Sequence, residues 1–393
     1  MLVQRNLTQK LRNHLERSEI LILLGARQVG KTTLMQELGD HARKLGLKTK
    51  AFNLEFPQDL LFFNRSDHEL FKDLSADPNC VILIDEFHYL KNASKIFKGL
   101  YDLKKNIKIV ASGSSSIEIH RHLKESLAGR RVVIQIFPFN HEEMERARKT
   151  KDEYLTFGGL PGLLKMQTRT EKIEFLSQMV QTYILKDIKG LIKEENVRAF
   201  NHLIFYLAEH QGNILPTSNL ASEIGLTAKT VERYLEILEQ TFVLYSVCSY
   251  SHKFANELKK SKKYYLYDLG IRNSLLKDFK LPMDRNDVGI IRETNVLHEL
   301  KVQQRANVEI RFWATKQQDE VDFLWIEDRM PIPIEVKSKM KNQRVPSGIL
   351  KFFRRYPNTK KAFVICEDRE EMIQSSPNAQ IIFTKKIPSF VQE

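Results

Sequence analysis

The chain has 393 residues and a formal net charge of +13, from 62 Lys and Arg against 49 Asp and Glu. This length predicts two or three domains, and the positive charge favours a polyanionic partner, although solubility alone explains such a charge equally well. Three widely spaced cysteines exclude a disulfide framework and a zinc-ligand pattern, and no apolar stretch approaches the length of a membrane span. We therefore expect a cytoplasmic protein that does not enter a membrane.

Residues 3–17 have the spacing of an amphipathic helix, and five strand candidates alternate with helix-like segments after it. The strand candidates are residues 20–24, 49–54, 81–85, 107–111 and 131–136. This alternation predicts a three-layer α/β fold around a mostly parallel sheet. In such a fold, ligands bind at the carboxyl ends of the strands.

A glycine-spaced loop follows the first strand candidate. Its residues are Gly25, Ala26, Arg27, Gln28, Val29, Gly30, Lys31, Thr32 and Thr33. In the spacing G-x-x-x-x-G-K-T, backbone amides and the lysine hold the phosphates of ATP, and the threonine hydroxyl coordinates Mg²⁺. An ordinary strand-turn-helix is the alternative. Because an apolar strand precedes the loop and a helical pattern follows it, we predict that the whole loop binds ATP.

The third strand candidate ends in Asp85 and Glu86. Asp85 is expected beside Thr32 as a second ligand of Mg²⁺. Glu86 is expected to polarise a water for attack on the γ phosphate, which an ATP hydrolase requires and a small-molecule kinase does not. Without the loop upstream, a solvated helix cap would explain the two acids equally well. With the loop present, they predict ATP hydrolysis.

Two further positions are candidates for contacts with the phosphates. Ser114 belongs to the run that ends the fourth strand candidate, 112–116, where a hydroxyl can contact the γ phosphate, although such runs also simply turn the chain. Arg130, before the fifth strand candidate, can neutralise transition-state charge in its own site or in that of a neighbouring subunit. A surface basic pair with Arg131 is the alternative.

The middle of the chain is rich in helix formers at residues 171–209, which predict a helical connector or lid. Residues 219–235 then read as helix, glycine turn and helix, with Thr227 as the expected N-cap of the second helix. A strand at 242–247 would complete a winged-helix pattern. Lys229, Thr230 and Arg233 are candidate DNA contacts, but acidic residues on the same helix make a packing or lid role equally plausible.

The last part opens with a lysine-rich stretch, Lys253 to Lys263, which suits either a phosphate backbone or a solvated linker. Residues 320–325 and 332–337 then predict a β-hairpin. Its spacing puts Asp322, Glu335 and Lys337 on one face. Two carboxylates and a lysine suit phosphodiester cleavage, with Asp322 and Glu335 on Mg²⁺ and Lys337 on the water or phosphate. Glu293 is a candidate further ligand. The alternatives are a solvated strand and a docking platform without catalysis.

These segments together resemble the prokaryotic AAA-superfamily ATPases that carry a restriction-endonuclease-like C-terminal domain of unknown function. The resemblance covers nearly the whole chain. It rests on the loop 25–33, Asp85-Glu86, Gly113-Ser114-Ser115, Gly129-Arg130 before Phe137-Pro138-Phe139, Gly158-Gly159-Leu160-Pro161, Tyr265 to Gly270 and Glu335-Val336-Lys337. It implies an ATPase fold followed by a nuclease-like fold.

We therefore expect an AAA-type ATPase domain at 1–150, a helical connector with a winged-helix-like module at 151–250, and an α/β restriction-endonuclease-like domain at 251–393. The leading hypothesis is a Mg²⁺-dependent ATPase that associates with DNA and controls the nuclease-like domain. An ATP-gated regulator that binds DNA or protein without cutting is the alternative. The sequence leaves open whether the chain forms a homo-oligomer.

Overall fold

A computed structural model describes residues 3–103, 105–114, 127–188, 197–251, 262–340, 344–376 and 379–390. The chain divides into two compact units. The first comprises Met1–Arg148, Leu160–Lys165 and Ile237–Val243, and the second comprises Lys149–Gly159, Met166–Glu236 and Leu244–Glu393. Within the described ranges, no helix is both long and apolar enough to cross a membrane.

The first unit is built on a five-stranded parallel sheet in the order β2-β3-β4-β1-β5. Its strands are β1 (Ile20–Leu24), β2 (Lys48–Asn53), β3 (Cys80–Asp85), β4 (Lys108–Gly113) and β5 (Arg131–Gln135). Every residue of the three central strands is buried, which explains their apolar sequences. The five predicted strands and the parallel α/β sheet are therefore confirmed.

Helices precede, connect or follow these strands: α1 (Thr8–Leu15), α2 (Lys31–Lys44), α3 (Pro57–Phe63), α4 (Asp67–Leu74), α5 (Ala93–Asp102) and α6 (His141–Arg146). The first helix is shorter than the predicted 3–17, because residues 3–5 are not helical. α6 begins with a capping box in which Asn140 and Glu143 each bond to the other's backbone amide. This cap orients Glu143 toward the start of the chain, where its carboxylate accepts the amide of Asn6.

The later helices are α7 (Lys151–Phe157), α8 (Arg169–Met179), α9 (Val197–Glu209), α10 (Thr217–Ile224), α11 (Ala228–Gln240), α12 (Leu269–Leu276), α13 (Val288–Gln303) and α14 (Ser347–Arg355). A π-helical segment, Val180–Ile188, follows α8 directly. Between α10 and α11, Gly225 has a φ of 73°, and the hydroxyl of Thr227 accepts the amide of Thr230 at 3.2 Å. The predicted helix, glycine turn and capped second helix are confirmed.

The remaining strands form one nine-stranded sheet in the order β13-β14-β12-β11-β10-β9-β7-β8-β6. They are β6 (Ile214–Leu215), β7 (Leu244–Ser249), β8 (Lys262–Leu266), β9 (Val308–Ala314), β10 (Glu320–Glu327), β11 (Met330–Val336), β12 (Lys361–Ile365), β13 (Glu371–Ser376) and β14 (Ala379–Thr384). β8 pairs antiparallel with β6 and β7, and β7 pairs parallel with β9. The strand that follows the two helices, β7, therefore belongs to the nine-stranded sheet. This sheet combines strands from both sides of residue 250, where the sequence predicted a domain boundary.

β10 and β11 form the predicted hairpin, in which Phe323 pairs with Ile334 and Glu327 pairs with Met330. The turn residues Asp328 and Arg329 both have positive φ, as a tight two-residue hairpin turn requires. This register sets Asp322 opposite Glu335. The two carboxylates therefore meet on one face of the sheet.

Candidate functional site

The loop after β1 has the shape that its glycines predict. A Cβ at Gly25 would lie 2.2 Å from the carbonyl oxygen of Ile136, so only glycine fits where the loop passes the end of the sheet. Gly30 has a φ of 93°, in the left-handed region, and α2 begins at the next residue. Ala26 and Val29 are buried, whereas Arg27 and Gln28 are exposed. The loop is thus anchored at its apolar positions.

Lys31, Thr32 and Asp85 converge at the carboxyl ends of β1 and β3. The ammonium of Lys31 donates to the carbonyl oxygens of Gly25 and Ala26, each at 2.9 Å. The hydroxyl of Thr32 donates to Asp85 Oδ2 at 2.6 Å. The expected meeting of the threonine with the aspartate is therefore present, although 53 positions separate the two residues.

Ser112, the first residue of the run 112–116, supports Asp85. Its hydroxyl donates to Asp85 Oδ1 and accepts the amide of Glu86 at 3.3 Å. Ser114 directly follows β4, beside β1, so it lies at the same edge of the sheet as the loop. Its contact with the γ phosphate stays a prediction. Ser115 and Ser116 lie outside the described residues.

Glu86 sits at the turn that follows β3. Its φ of 54° is uncommon for a residue with a side chain, and such conformations concentrate at functional sites. Its Oε2 lies 3.2 Å from His88 Nδ1. Burial raises the pKa of Glu86, but His88 and the charge of Lys31 lower it more, so that the pKa lies below its ordinary value. Glu86 is therefore ionised at neutral pH and can accept a proton.

Arg130 is not in the place expected for action in its own site. It precedes β5, whose first residue Arg131 pairs with Ile20, whereas the loop follows Leu24, which pairs with Gln135. At about 3.3 Å per residue, Arg130 lies roughly 13 Å or more from the edge that carries the loop. Its Nε lies 3.3 Å from Asp102. The own-site role is therefore wrong, and a role in a neighbouring subunit's site stays a prediction.

Arg5 is a functional candidate that the sequence analysis missed. Its guanidinium donates to Val29 O at 3.0 Å, to Phe137 O at 2.7 Å and to Glu143 Oε1 at 3.0 Å. It also lies over the ring of Phe139, with 4.7 Å between Cζ and the ring centroid. Burial lowers the pKa of Arg5, against the charge of Glu143. No local pattern distinguishes Arg5 from the other arginines near the start of the chain.

The expected DNA contacts have mixed outcomes. Lys229 and Arg233 are exposed on α11, together with Glu232 and Glu236, so the helix face carries both charges. Lys253, Lys259 and Lys260 lie outside the described residues. Lys263 is in β8 and its side chain is only 2% exposed, so it belongs neither to a solvated linker nor to a surface that tracks phosphates.

The second unit brings the three hairpin residues together. Asp322 Oδ2 accepts the amide of Val336 at 2.7 Å, and Lys337 Nζ lies 2.6 Å from Glu335 Oε1. Burial raises the pKa of Glu335, and the charge of Asp322 raises it further. Burial also raises the pKa of Asp322. The predicted grouping is present, and its catalytic role stays a prediction.

One oxygen in this group has no donor. Glu335 is 6% exposed, and its Oε2 is buried without a hydrogen-bond partner among the described residues. Burying a carboxylate oxygen without a partner costs free energy unless a cation or a water reaches that oxygen. Glu335 is therefore suited to be a ligand of a divalent metal ion. Within the described ranges, no three His, Cys, Asp or Glu residues are arranged to hold a metal ion. Any cation here would rely on fewer protein ligands.

β8 adds Lys263 and Tyr265 to the same cluster, which the sequence analysis did not foresee. The hydroxyl of Tyr265 donates to Glu293 Oε1 at 2.5 Å, and Lys263 Nζ lies 3.3 Å from that oxygen. Lys263 also contacts Glu320. Burial lowers the pKa of Lys263, but the charge of Glu293 and the other acids raises it above its ordinary value. Glu293 Oε1 thus faces two donors, and the role of Glu293 as a further metal ligand stays a prediction.

Three family models match successive parts of the chain. Residues 17–145 match an AAA domain, residues 148–281 match a domain of unknown function (DUF8612), and residues 288–384 match a second domain of unknown function (DUF4143). The AAA match covers the five-stranded sheet and every residue of the loop.

Relatives occur in bacteria and archaea. An uncharacterised protein of Haemophilus influenzae is 25% identical over 295 residues, which cover 69% of this chain and 73% of that protein. One of Mycobacterium tuberculosis is 25% identical over 342 residues (86% and 74%), and one of Methanocaldococcus jannaschii is 23% identical over 341 residues (78% and 72%).

Solved structures of the replication initiator DnaA align more loosely. DnaA of Aquifex aeolicus bound to AMPPCP is 15% identical with a TM-score of 0.32, covering 61% of this chain and 89% of that chain. DnaA bound to AMPPCP and single-stranded DNA has a TM-score of 0.31 at 15% identity, covering 59% and 86%. The first part of the chain thus matches an AAA domain, and its five-stranded parallel sheet agrees with that match.

Proposed function

We propose that the chain is a Mg²⁺-dependent ATPase whose nucleotide state controls a nuclease-like C-terminal domain acting on DNA. The observation that carries the ATPase part is the convergence of Lys31, Thr32 and Asp85 beside an ionised Glu86. A phosphate-binding loop needs a cation for the phosphates, and a hydrolase needs oxygen ligands for Mg²⁺ and a base for water. This edge of the sheet supplies all three.

Each residue of this site has a separate role in the proposed reaction. Lys31 exchanges its two carbonyl acceptors for the β and γ phosphates, and the loop amides cradle the same groups. The hydroxyl of Thr32 and the carboxylate of Asp85 are hard oxygen donors that fit Mg²⁺, which offsets phosphate charge when it is bound. Glu86 accepts a proton from the attacking water. Arg130 of a neighbouring copy can stabilise charge on the transferred group, which requires a homo-oligomer.

Two substitutions test the ATPase. Lys31→Ala should abolish detectable ATP binding, whereas Glu86→Gln should bind ATP but hydrolyse it about 10²- to 10⁴-fold more slowly, the usual contribution of a positioned base. Phosphate release measures the rate, and a fluorescent-nucleotide titration measures the binding. Glu55→Gln, an exposed acid that follows β2, is the control and should match the wild type. Normal hydrolysis by Glu86→Gln would refute the assigned base.

For the second unit, we propose a restriction-endonuclease-like fold joined to a winged-helix module. The hairpin grouping of Asp322, Glu335 and Lys337 supports the nuclease-like part. The succession of α10, α11, β7 and β8, with β6 paired to β8, supports the winged-helix part. Lys229 and Arg233, exposed on α11, are the proposed DNA contacts.

A regulator that binds DNA or protein without cutting is the second candidate. The lysines near the β10–β11 hairpin favour this candidate, because Lys337 already pairs with Glu335 and Lys263 already pairs with Glu293. Carboxylates that are neutralised by lysines can serve as structural ion pairs. Cleavage assays on the intact protein, with and without ATP, separate the two candidates.

A further inference from the structure

The cluster around the β10–β11 hairpin contains two lysine side chains as well as four acidic side chains. Its members, called the acidic site from here on, are Glu293, Glu320, Asp322, Glu335, Lys263 and Lys337. Lys263 and Lys337 occupy different parts of it. Lys337 pairs with Glu335, whereas Lys263 pairs with Glu293 and Glu320.

The two lysines also differ in mobility. The side chain of Lys337 is 42% exposed and can move into solvent, whereas that of Lys263 is 2% exposed. The backbone of Lys263 is held on both sides, because it pairs with Ile214 of β6 and Val247 of β7. Its ammonium also lies 5.4 Å from the centre of the Phe312 ring. Lys263 is therefore a buried positive charge on a backbone that is paired on both sides.

Several carboxylate oxygens of the acidic site already have partners. Glu293 Oε1 already faces Lys263 and accepts the hydroxyl of Tyr265. Glu335 Oε2, in contrast, is buried and has no partner among the described residues. Asp322 stands opposite Glu335 across the hairpin. Glu335 Oε2 is thus a buried oxygen of the acidic site that a further cation can satisfy.

We infer that the acidic site takes a single divalent cation, held by Asp322 and Glu335, because Lys263 permanently supplies the charge that a second cation would bring beside Glu293 and Glu320. Two divalent ions would add four positive charges next to a fixed ammonium, and the repulsion disfavours the second ion. This inference rests on the proposed metal-dependent function of the site. It specifies how many ions that function uses.

Manganese binding tests the inference without reference to activity. Nucleotide-free full-length protein carrying Thr32→Ala and Asp85→Asn, which remove the oxygen ligands of the other site, is titrated with Mn²⁺, and free Mn²⁺ is measured by electron paramagnetic resonance. We expect one Mn²⁺ per chain, and none after Asp322→Asn is added. Adding Lys263→Met should allow a second Mn²⁺, whereas Lys262→Met, the neighbouring lysine on the same strand, should leave one.

Each other outcome decides against the inference in a recognisable way. Two Mn²⁺ in the background protein would overturn it and leave the metal-dependent function standing. One Mn²⁺ in both the background protein and Lys263→Met would show that Lys263 does not set the number. No Mn²⁺ at all would overturn the proposed metal site as well. Circular dichroism checks folding, and Lys263→Gln, which keeps a donor but no charge, replaces Lys263→Met if that variant unfolds.

Discussion

Arg5 shows how a single buried charge can organise the proposed phosphate-binding loop. Its side chain is almost fully buried, so it must find partners for its donors. It finds them in three separate segments: the loop through Val29, the segment after β5 through Phe137, and α6 through Glu143. The planar guanidinium suits this task, since one lysine ammonium cannot reach three such acceptors. Arg5 therefore ties the loop to these two other segments.

Replacing Arg5 should weaken ATP binding beyond any loss of stability. Because hydrogen bonds to a charged group contribute about 1.5–3 kcal/mol, Arg5→Met should raise the dissociation constant for ATP about tenfold or more. Arg5→Lys should not restore the wild-type affinity for ATP. Equilibrium titration with ATP, at a temperature at which all variants are folded, measures the effect.

Lys108 provides the matched control for Arg5. It is also buried in the first unit, but it begins β4 and its ammonium donates to Arg17 O at 2.9 Å, at the end of the sheet away from the loop. Lys108→Met should destabilise the protein and leave the ATP dissociation constant unchanged. Equal ATP affinities for Arg5→Met and Lys108→Met would mean that Arg5 has only a structural role.

Among the elements, the segment from Gly158 to Pro161 and the segment from Tyr265 to Gly270 pack against each other. Asp268 caps α12 by accepting the amide of Ile271 at 3.1 Å, and it also accepts the amide of Gly159 at 2.8 Å. Gly158 has a φ of 80°, and a Cβ there would lie 2.1 Å from Asp268 Oδ1. At Gly270, a Cβ would lie 1.9 Å from the carbonyl oxygen of Phe157. The glycines are therefore required so that α7 and α12 can approach each other.

Gly158→Ala should destabilise the second unit strongly. Its backbone conformation is essentially restricted to glycine, which costs about 1–3 kcal/mol for another residue, and the clash with Asp268 adds to that cost. Gly225→Ala is the control, because Gly225 has a φ of 73° but open space around the missing Cβ, so only about 1 kcal/mol of strain is expected. Differential scanning calorimetry compares the transitions. Equal shifts for both variants would contradict the packing argument.

At the scale of the whole molecule, the chain does not run through one unit and then the other. After entering the second unit at Lys149, it returns to the first unit at Leu160–Lys165 and again at Ile237–Val243. The second return includes the end of α11. The proposed nucleotide-dependent unit and the proposed nuclease-like unit are therefore covalently interleaved, which suits control of one by the other.

Cleavage assays test this proposed control. Intact protein is incubated with DNA and Mg²⁺ or Mn²⁺, with and without ATP, beside Lys31→Ala and Lys337→Ala. We expect cutting by the wild type, none by Lys337→Ala under any condition, and cutting that no longer responds to ATP in Lys31→Ala. If the wild type cuts neither DNA nor RNA under any nucleotide or metal condition but binds DNA in response to ATP, the non-cutting regulator is the correct function.

Features that depend on local pattern were predictable from the sequence. The loop 25–33, the central strands and the glycine turn at Gly225 follow from residue spacing over fewer than twenty positions. The meeting of Thr32 with Asp85 is a long-range contact, yet the rule that ligands bind where parallel strands end was enough to predict it. The grouping of Asp322 with Glu335 followed likewise from the two-residue period of a hairpin.

Only the tertiary structure decided which charged residues are buried and with which partners. Arg5 finds Glu143 138 positions away, and Lys263 finds Glu293 30 positions away, so no local pattern marks either lysine or arginine as different from a surface residue. Arg130 differs, because a residue that precedes a parallel strand lies at the amino end of that strand, away from the loop. A motif specifies backbone shape and hydrophobic face locally, whereas the environment of a charge is set by whichever distant segments pack around it.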